Sequence, residues 1–168
     1  RGLGDVYKRQ QSYGVYAYMK HFALNDQQIN QSKLLCTWAD EQAIREIYLR
    51  PFEISAKVGG CKAVMSSWNY IGNQWAGACN ALLNGVLRGE WGFKGLESQD
   101  FIMNPNYAVL KEYALNGGTM TTFTGENTMA AVSEKFAYWT TENVGQDTEL
   151  MSAIKQAMTW QAYALANS

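Results

Sequence analysis

An α/β fold built on a parallel sheet is predicted by three features of the sequence. Short strand-like runs alternate with helical runs about four times, with glycine-containing turns at the joins, as βαβ units require. One strand-like run, Cys61 to Ser66, is mostly apolar, as a strand covered on both faces should be. Another, Gly95-Leu96-Glu97-Ser98-Gln99-Asp100, leads from a glycine turn to a carboxylate, and α/β proteins place their chemistry at the C-terminal ends of parallel strands. A closed barrel needs eight strands and ~250 residues, so the chain reads either as a small open α/β domain or as a fragment of a barrel.

The first element is the Tyr-rich run from Ser12 to Phe22, in which Val15 to Met19 is expected to be a buried strand that delivers Lys20 and His21 at its end. Loop chemistry follows from Ala23 to Gln31. Thr37, followed by Asp40 and Glu41, marks a helix start, and Ala43, Ile44, Ile47 and Tyr48 recur at the helical period. Arg50-Pro51 marks a boundary, beyond which Phe52 to Val58 prolong the helix until Gly59-Gly60 stops it. After the strand Cys61 to Ser66 comes a polar exit, Ser66-Ser67-Trp68-Asn69, and a turn at Ile71-Gly72-Asn73. Asn80 to Glu90 is helical, with Leu82, Leu83, Val86 and Leu87 as its apolar face. The third strand closes at Asp100. A helix from Tyr107 to Leu115, a strand from Thr119 to Phe123 emptying towards Thr124 and Gly125, and a helix from Asp147 to Leu165 complete the chain. In that last helix Leu150, Ile154, Ala157 and Met158 form one face, and Asp147 with Glu149 suit its N-terminus.

Composition removes several function classes. The 168 residues suffice for one domain or part of one. A net charge of -1 leaves no sustained basic surface, so no nucleic-acid partner is expected. No apolar run approaches the ~20 residues of a membrane span, and no membrane partner is expected. Cys36, Cys61 and Cys79 are widely spaced and accompanied by a single histidine. That pattern suits buried free thiols, with neither a disulfide framework nor a metal site. Glycine-rich phosphate loops do not occur, and no cofactor is expected. Residues 1–10 lack an initiator methionine and a clear period, and read as a non-native or artefactual segment.

Each strand exit offers polar or aromatic groups: Lys20 and His21, then Met65, Trp68 and Asn69, then Asp100, then Thr124. In a parallel barrel such exits share one rim. A lysine, an imidazole, a tryptophan face and one carboxylate fit a sugar better than a phosphate. Each has a plainer reading as well. Asp100 can cap the next helix or open a turn with Asn104-Pro105, His21 can be a satisfied core or loop histidine, and Trp68 and Met65 can simply pack.

Four blocks carry a specific resemblance: Lys20-His21-Phe22-Ala23-Leu24-Asn25-Asp26-Gln27; Arg45-Glu46-Ile47-Tyr48-Leu49 with Pro51-Phe52-Glu53; Met65-Ser66-Ser67-Trp68-Asn69; and Leu87 to Gly95. In order and spacing they resemble the β-glucosidases of glycoside hydrolase family 3, strongly from Tyr13 to about Gly125 and more loosely to the end. The resemblance implies that residues 11–168 are the C-terminal part of that family's N-terminal barrel domain, an incomplete (β/α)8 TIM-type barrel. It matches Asp100 to the catalytic nucleophile, Lys20 and His21 to the pair that holds sugar hydroxyls, and Met65 and Trp68 to the residues lining that pocket, the latter usually tyrosine. It implies a carbohydrate partner, a β-glucoside or related oligosaccharide. It also implies an acid/base from a following α/β domain, which is expected to be missing from these residues.

This sequence departs from the family at Gln28, where glutamate is usual, at Gln31 and Gln42, where arginine is usual, and at Gln99, where a small hydroxyl residue generally precedes the nucleophile. Losing a charged pair near Lys20 and His21 removes charge-assisted contacts worth roughly 1.5–3 kcal/mol each when buried. Two readings result. One is a retaining β-glucosidase seen in part and inactive in this part alone; the other is a non-catalytic carbohydrate-binding or scaffold remnant of the same family.

Overall fold

A computed structural model of the chain describes residues 13–101, 109–122 and 139–168. Its centre is a parallel three-stranded sheet in the order β1 (Tyr18–Phe22), β3 (Ala63–Ser66), β6 (Leu96–Gln99). The register sets Met19 beside Val64 and Val64 beside Glu97, and Ser66 beside both Phe22 and Gln99. Met120 adds one parallel bridge to Ser98 on the far side of β6. A second, smaller sheet joins β2 (Cys36–Thr37) to the hairpin β4 (Tyr70–Ile71) and β5 (Gln74–Trp75).

Between β1 and β3 the chain crosses through α1 (Glu41–Ala43), a π-helical segment Ile44–Tyr48 and α2 (Arg50–Lys57). A π-helix, Ala81–Glu90, lies between β3 and β6. Beyond β6 lie α3 (Leu110–Leu115), α4 (Thr141–Gln146) and α5 (Thr148–Ala166). The core forms where sheet meets helices: Met19, Phe22 and Val64 pack with Leu82, Leu83, Val86 and Leu87. Full burial of such a side chain contributes roughly 1.5–3 kcal/mol. The Phe22 ring meets Phe52 edge-on at 5.1 Å and Trp91 at 5.8 Å. The turn into β6 must be glycine, because a Cβ on Gly95 would lie 2.0 Å from the carbonyl oxygen of Lys62, the same oxygen that accepts the Leu96 N–H.

Arg88 fastens the π-helix to the loops beneath it. Its guanidinium donates to the carbonyls of Gly117, Phe93 and Gly95, and lies 3.4 Å over the Trp160 ring of α5. Burial pulls its pKa down to about 10, with Glu97 and Tyr113 opposing the shift.

Several expectations need correction. The first strand is Tyr18–Phe22, so Lys20 and His21 lie inside it and not beyond its end. Thr37 belongs to β2; the helix start is Asp40, whose carboxylate accepts the Ala43 N–H at 2.8 Å. Cys36 is exposed, whereas Cys61 and Cys79 are buried free thiols. The strand expected from Thr119 to Phe123 is a single bridge at Met120, with Phe123, Thr124 and Gly125 outside the described residues. Residues 1–10, Asn104-Pro105 and the start of the Tyr107 helix also lie outside them. Of the apolar face expected on the last helix, Leu150 is buried, but Met158 is 62% exposed, and Ile154, Ala157 and Met158 line a cavity of about 290 Å³ against α3. Asp147 does cap that helix, accepting the Leu150 N–H at 3.0 Å.

Candidate active site

Three strand ends converge on Asp100. Backbone pairing carries β6 one residue past its last strand position: the Asp100 N–H donates to the carbonyl of Ser66 at 3.3 Å. The carboxylate then divides its work. Oδ1 accepts the Phe101 N–H at 2.8 Å, while Oδ2 lies 3.2 Å from His21 Nε2 on β1. A proton on Nε2 would face that carboxylate oxygen, which accepts whenever it is ionised. Burial pushes the His21 pKa below its ordinary value, Asp100 pulls it back up, and Lys20 pushes it down again. The two side chains are 28% and 11% exposed, which leaves the pair reachable from solvent on the histidine side.

The β3 exit is built to hold its shape. Ser67 and Asn69 are fully buried. The Ser67 N–H donates to the carbonyl of Phe22 at 2.9 Å, its hydroxyl donates to the carbonyl of Ala23 at 3.1 Å, and Asn69 Nδ2 donates to that same carbonyl at 3.1 Å. Asn69 Nδ2 also reaches Thr37 Oγ1, so the small sheet is tied to the β1 exit. Trp75 on β5 donates its indole N–H to the carbonyl of Ser67 at 3.0 Å. Between those anchors, half-buried Trp68 donates its indole N–H to the carbonyl of Phe101 at 2.8 Å.

Of the residues singled out in the sequence, His21, Asp100 and Trp68 are thus joined through direct contacts and through Phe101. Lys20 is exposed on β1 and forms no ion pair among the described residues. Met65, half-buried on β3, pairs in register with Ser98. The four glutamines lie in different settings. Gln28 is exposed, Gln42 is exposed and donates to the Glu46 carboxylate, Gln31 is 7% exposed, and Gln99 is fully buried beside Asp100 with neither side-chain polar atom partnered among the described residues.

Glu97 is the residue that sequence reasoning passed over. It is fully buried, and among the described residues neither carboxylate oxygen has a hydrogen-bond partner in good geometry. Burial raises its pKa to about 7, against the nearby Tyr113 and Ser66 hydroxyls and the Arg88 charge, which lower it. A signal was available in the sequence, since a charge inside a short strand of a parallel sheet contradicts the near-continuous apolar pattern of such strands.

The sequence matches the glycosyl hydrolase family 3 N terminal domain over residues 4–113, a span that reaches into the first ten residues. It is 44% identical over 91 residues to a β-glucosidase of Rhizobium radiobacter, covering 54% of this chain and 11% of that protein. To β-glucosidase B of Emericella nidulans it is 43% identical over 96 residues, again 54% of this chain and 11% of the relative. The fold superposes on β-glucosidase 3B of Thermotoga neapolitana, solved with glycerol and with glucose, with a TM-score of 0.80 and 29% identity, over 98% of this chain and 22% of that one. The chain therefore spans about a ninth of those curated relatives and about a fifth of that solved structure.

Proposed function

The chain belongs to the glycosyl hydrolase family 3 N-terminal domain family, and on that premise we propose that it is part of a retaining β-glucosidase whose nucleophile is Asp100. The observation that carries this reading is the meeting of Asp100 with His21, 3.2 Å apart at the C-terminal edge of a parallel sheet, where α/β folds concentrate chemistry. The three parallel strands and the Met120 bridge would be one arc of a (β/α)8 barrel, with the remaining strands supplied from outside these residues.

In the proposed reaction an Asp100 oxygen attacks the anomeric carbon of a β-linked glucosyl unit. The bond from that carbon to the aglycone oxygen breaks as the oxygen takes a proton from a second carboxyl group. Water, giving its proton back to that group, then attacks the anomeric carbon, releasing glucose and regenerating the Asp100 carboxylate. The two carboxyl groups of such a pair stand ~5–5.5 Å apart. The second is proposed to come from chain outside these 168 residues, in keeping with their small share of the relatives' length. Lys20 and His21 would hold hydroxyls of the glucosyl ring, and Met65 and Trp68 would line its pocket.

The reading is tested by incubating the full-length protein with a slow fluorinated glucoside and mapping the adduct by mass spectrometry. Attachment to Asp100 is expected. Attachment to Glu90 or Glu97 would remove Asp100 from the role, and sugar binding without adduct or turnover would favour a non-catalytic sugar binder.

A further inference from the structure

We propose that Trp68 is a positioning residue: by holding the carbonyl of Phe101, its indole N–H fixes the turn that presents Asp100. The proposal deepens the β-glucosidase reading above and rests on it.

Sheet pairing ends at Asp100. β6 closes at Gln99, and among the described residues the backbone beyond it makes one long contact to the sheet, from the Asp100 N–H to Ser66 at 3.3 Å, and one local bond, from the Phe101 N–H to Asp100 Oδ1. The Phe101 side chain is 48% exposed and supplies little packing to pin the turn. The hydrogen bond from Trp68 Nε1 to the Phe101 carbonyl, at 2.8 Å, is shorter than the Ser66 contact and spans 33 positions of sequence. Anchoring is only as good as the anchor, and Trp68 sits between two fully buried residues, Ser67 and Asn69, whose side chains both end on the carbonyl of Ala23. Ala23 in turn follows directly on the strand that carries His21.

The contacts therefore run in a closed circuit. From Asp100 they pass to His21, along β1 to Ala23, across to Ser67 and Asn69, through Trp68 to Phe101, and back to Asp100. Loosening the Trp68 link would let the carboxylate turn away from the reacting carbon without removing any group that touches it, and misplacement by about 1 Å can cost on the order of a hundredfold in rate.

Two measurements on the full-length protein test this, the second using Trp68→Phe, which keeps an aromatic ring but removes the indole N–H. The first is hydrogen exchange of the indole N–H groups of the wild-type protein, each assigned from its own backbone resonances. Exchange at least about tenfold slower than at Trp38, which is 78% exposed, is expected for a hydrogen-bonded indole; exchange as fast as at Trp38 would overturn the proposal, and this arm needs no folded variant. The second is kinetic. W68F should lose about tenfold or more in kcat with a clearly smaller loss in glucose affinity, the split expected of a residue that lines the pocket but acts chiefly by aligning the nucleophile. An unchanged kcat would overturn the proposal, as would equal losses in kcat and in glucose affinity, which would make Trp68 a sugar contact. Were the wild-type protein to show no turnover at all, the glucosidase reading would fall, and slow indole exchange would still support the anchor on Phe101.

Discussion

His21 Nε2 and Asp100 Oδ2 stand 3.2 Å apart although their strands do not pair, because β3 lies between β1 and β6. The contact crosses over the end of the middle strand, which stays paired with both neighbours there: the Ser67 N–H donates to the carbonyl of Phe22, and the Ser66 carbonyl accepts the Asp100 N–H.

The pair makes stability depend on pH through the imidazole. The folded-state pKa of His21 is held below its unfolded value, chiefly by burial, so the unfolded chain binds the proton more tightly. Stability is then full above the unfolded value of about 6.5 and is lost as pH falls towards the folded one. Melting curves between pH 8 and pH 5 should show a steeper loss for wild type than for His21→Gln, which cannot titrate. Parallel curves would show that the histidine makes no contribution.

Helical periodicity made much of the layer over the sheet legible. Leu82, Leu83, Val86 and Leu87 were expected on one face, and all four are buried, because the hydrophobic effect acts on the same spacing that the eye reads in the sequence. The first strand was misplaced for a physical reason. Within β1 the Lys20 side chain is exposed and His21 is met by Asp100, so both polar residues are tolerated inside the strand although they break its apolar run. The small sheet has strands of two residues, shorter than any alternation can reveal. Its position depends on contacts remote in sequence, such as the Thr37 hydroxyl on the carbonyl of Tyr70. At the site, residue types signalled Asp100, His21 and Trp68, but nothing in the sequence said that Trp68 would reach Phe101.

Arg88 should prove intolerant of lysine. Its fork serves the carbonyls of Gly117, Phe93 and Gly95 at once and stacks on Trp160. A lysine ammonium is a compact group with no planar face, so it cannot reproduce that spread of contacts. Arg88→Lys is expected to lower unfolding free energy by about 2 kcal/mol, from buried carbonyls left unpaired. Urea denaturation would measure it, and a loss below about 0.5 kcal/mol, the size of an ordinary surface change, would contradict the assigned role.

Glu97 predicts a pH dependence opposite in sign to that of His21. Its folded pKa is raised to about 7, above the unfolded value near 4.3. Below the unfolded value both states are protonated and the buried carboxyl is neutral in the fold. Between the two values the unfolded state ionises first, and stability falls as pH rises, by ~4 kcal/mol in all. Glu97→Gln removes the charge and keeps the shape. Relative to wild type it should gain stability at pH 8 and show little gain at pH 4. An equal effect at both pH values would show that Glu97 is not titrating in this window.

Asp100→Asn separates chemistry from architecture. As proposed nucleophile, Asp100 must be ionised near neutral pH while its partner acid keeps a proton. The substitution should cost the full-length enzyme roughly 10³-fold or more in kcat, ~4 kcal/mol of lost covalent catalysis. Architecture asks less of the residue. Among the described residues, the contacts made by Asp100 are one acceptor bond from Phe101 N–H through Oδ1, a backbone bond to Ser66 and the His21 contact at Oδ2. Asparagine retains a carbonyl oxygen for Phe101 and keeps the backbone bond. Its amide nitrogen would then face His21, and the imidazole can shift its proton to the other ring nitrogen and accept there. The melting temperature of D100N should therefore stay close to that of wild type while turnover collapses. Turnover close to wild type in a normally folded D100N protein would return Asp100 to the plainer role of closing a strand and starting a turn.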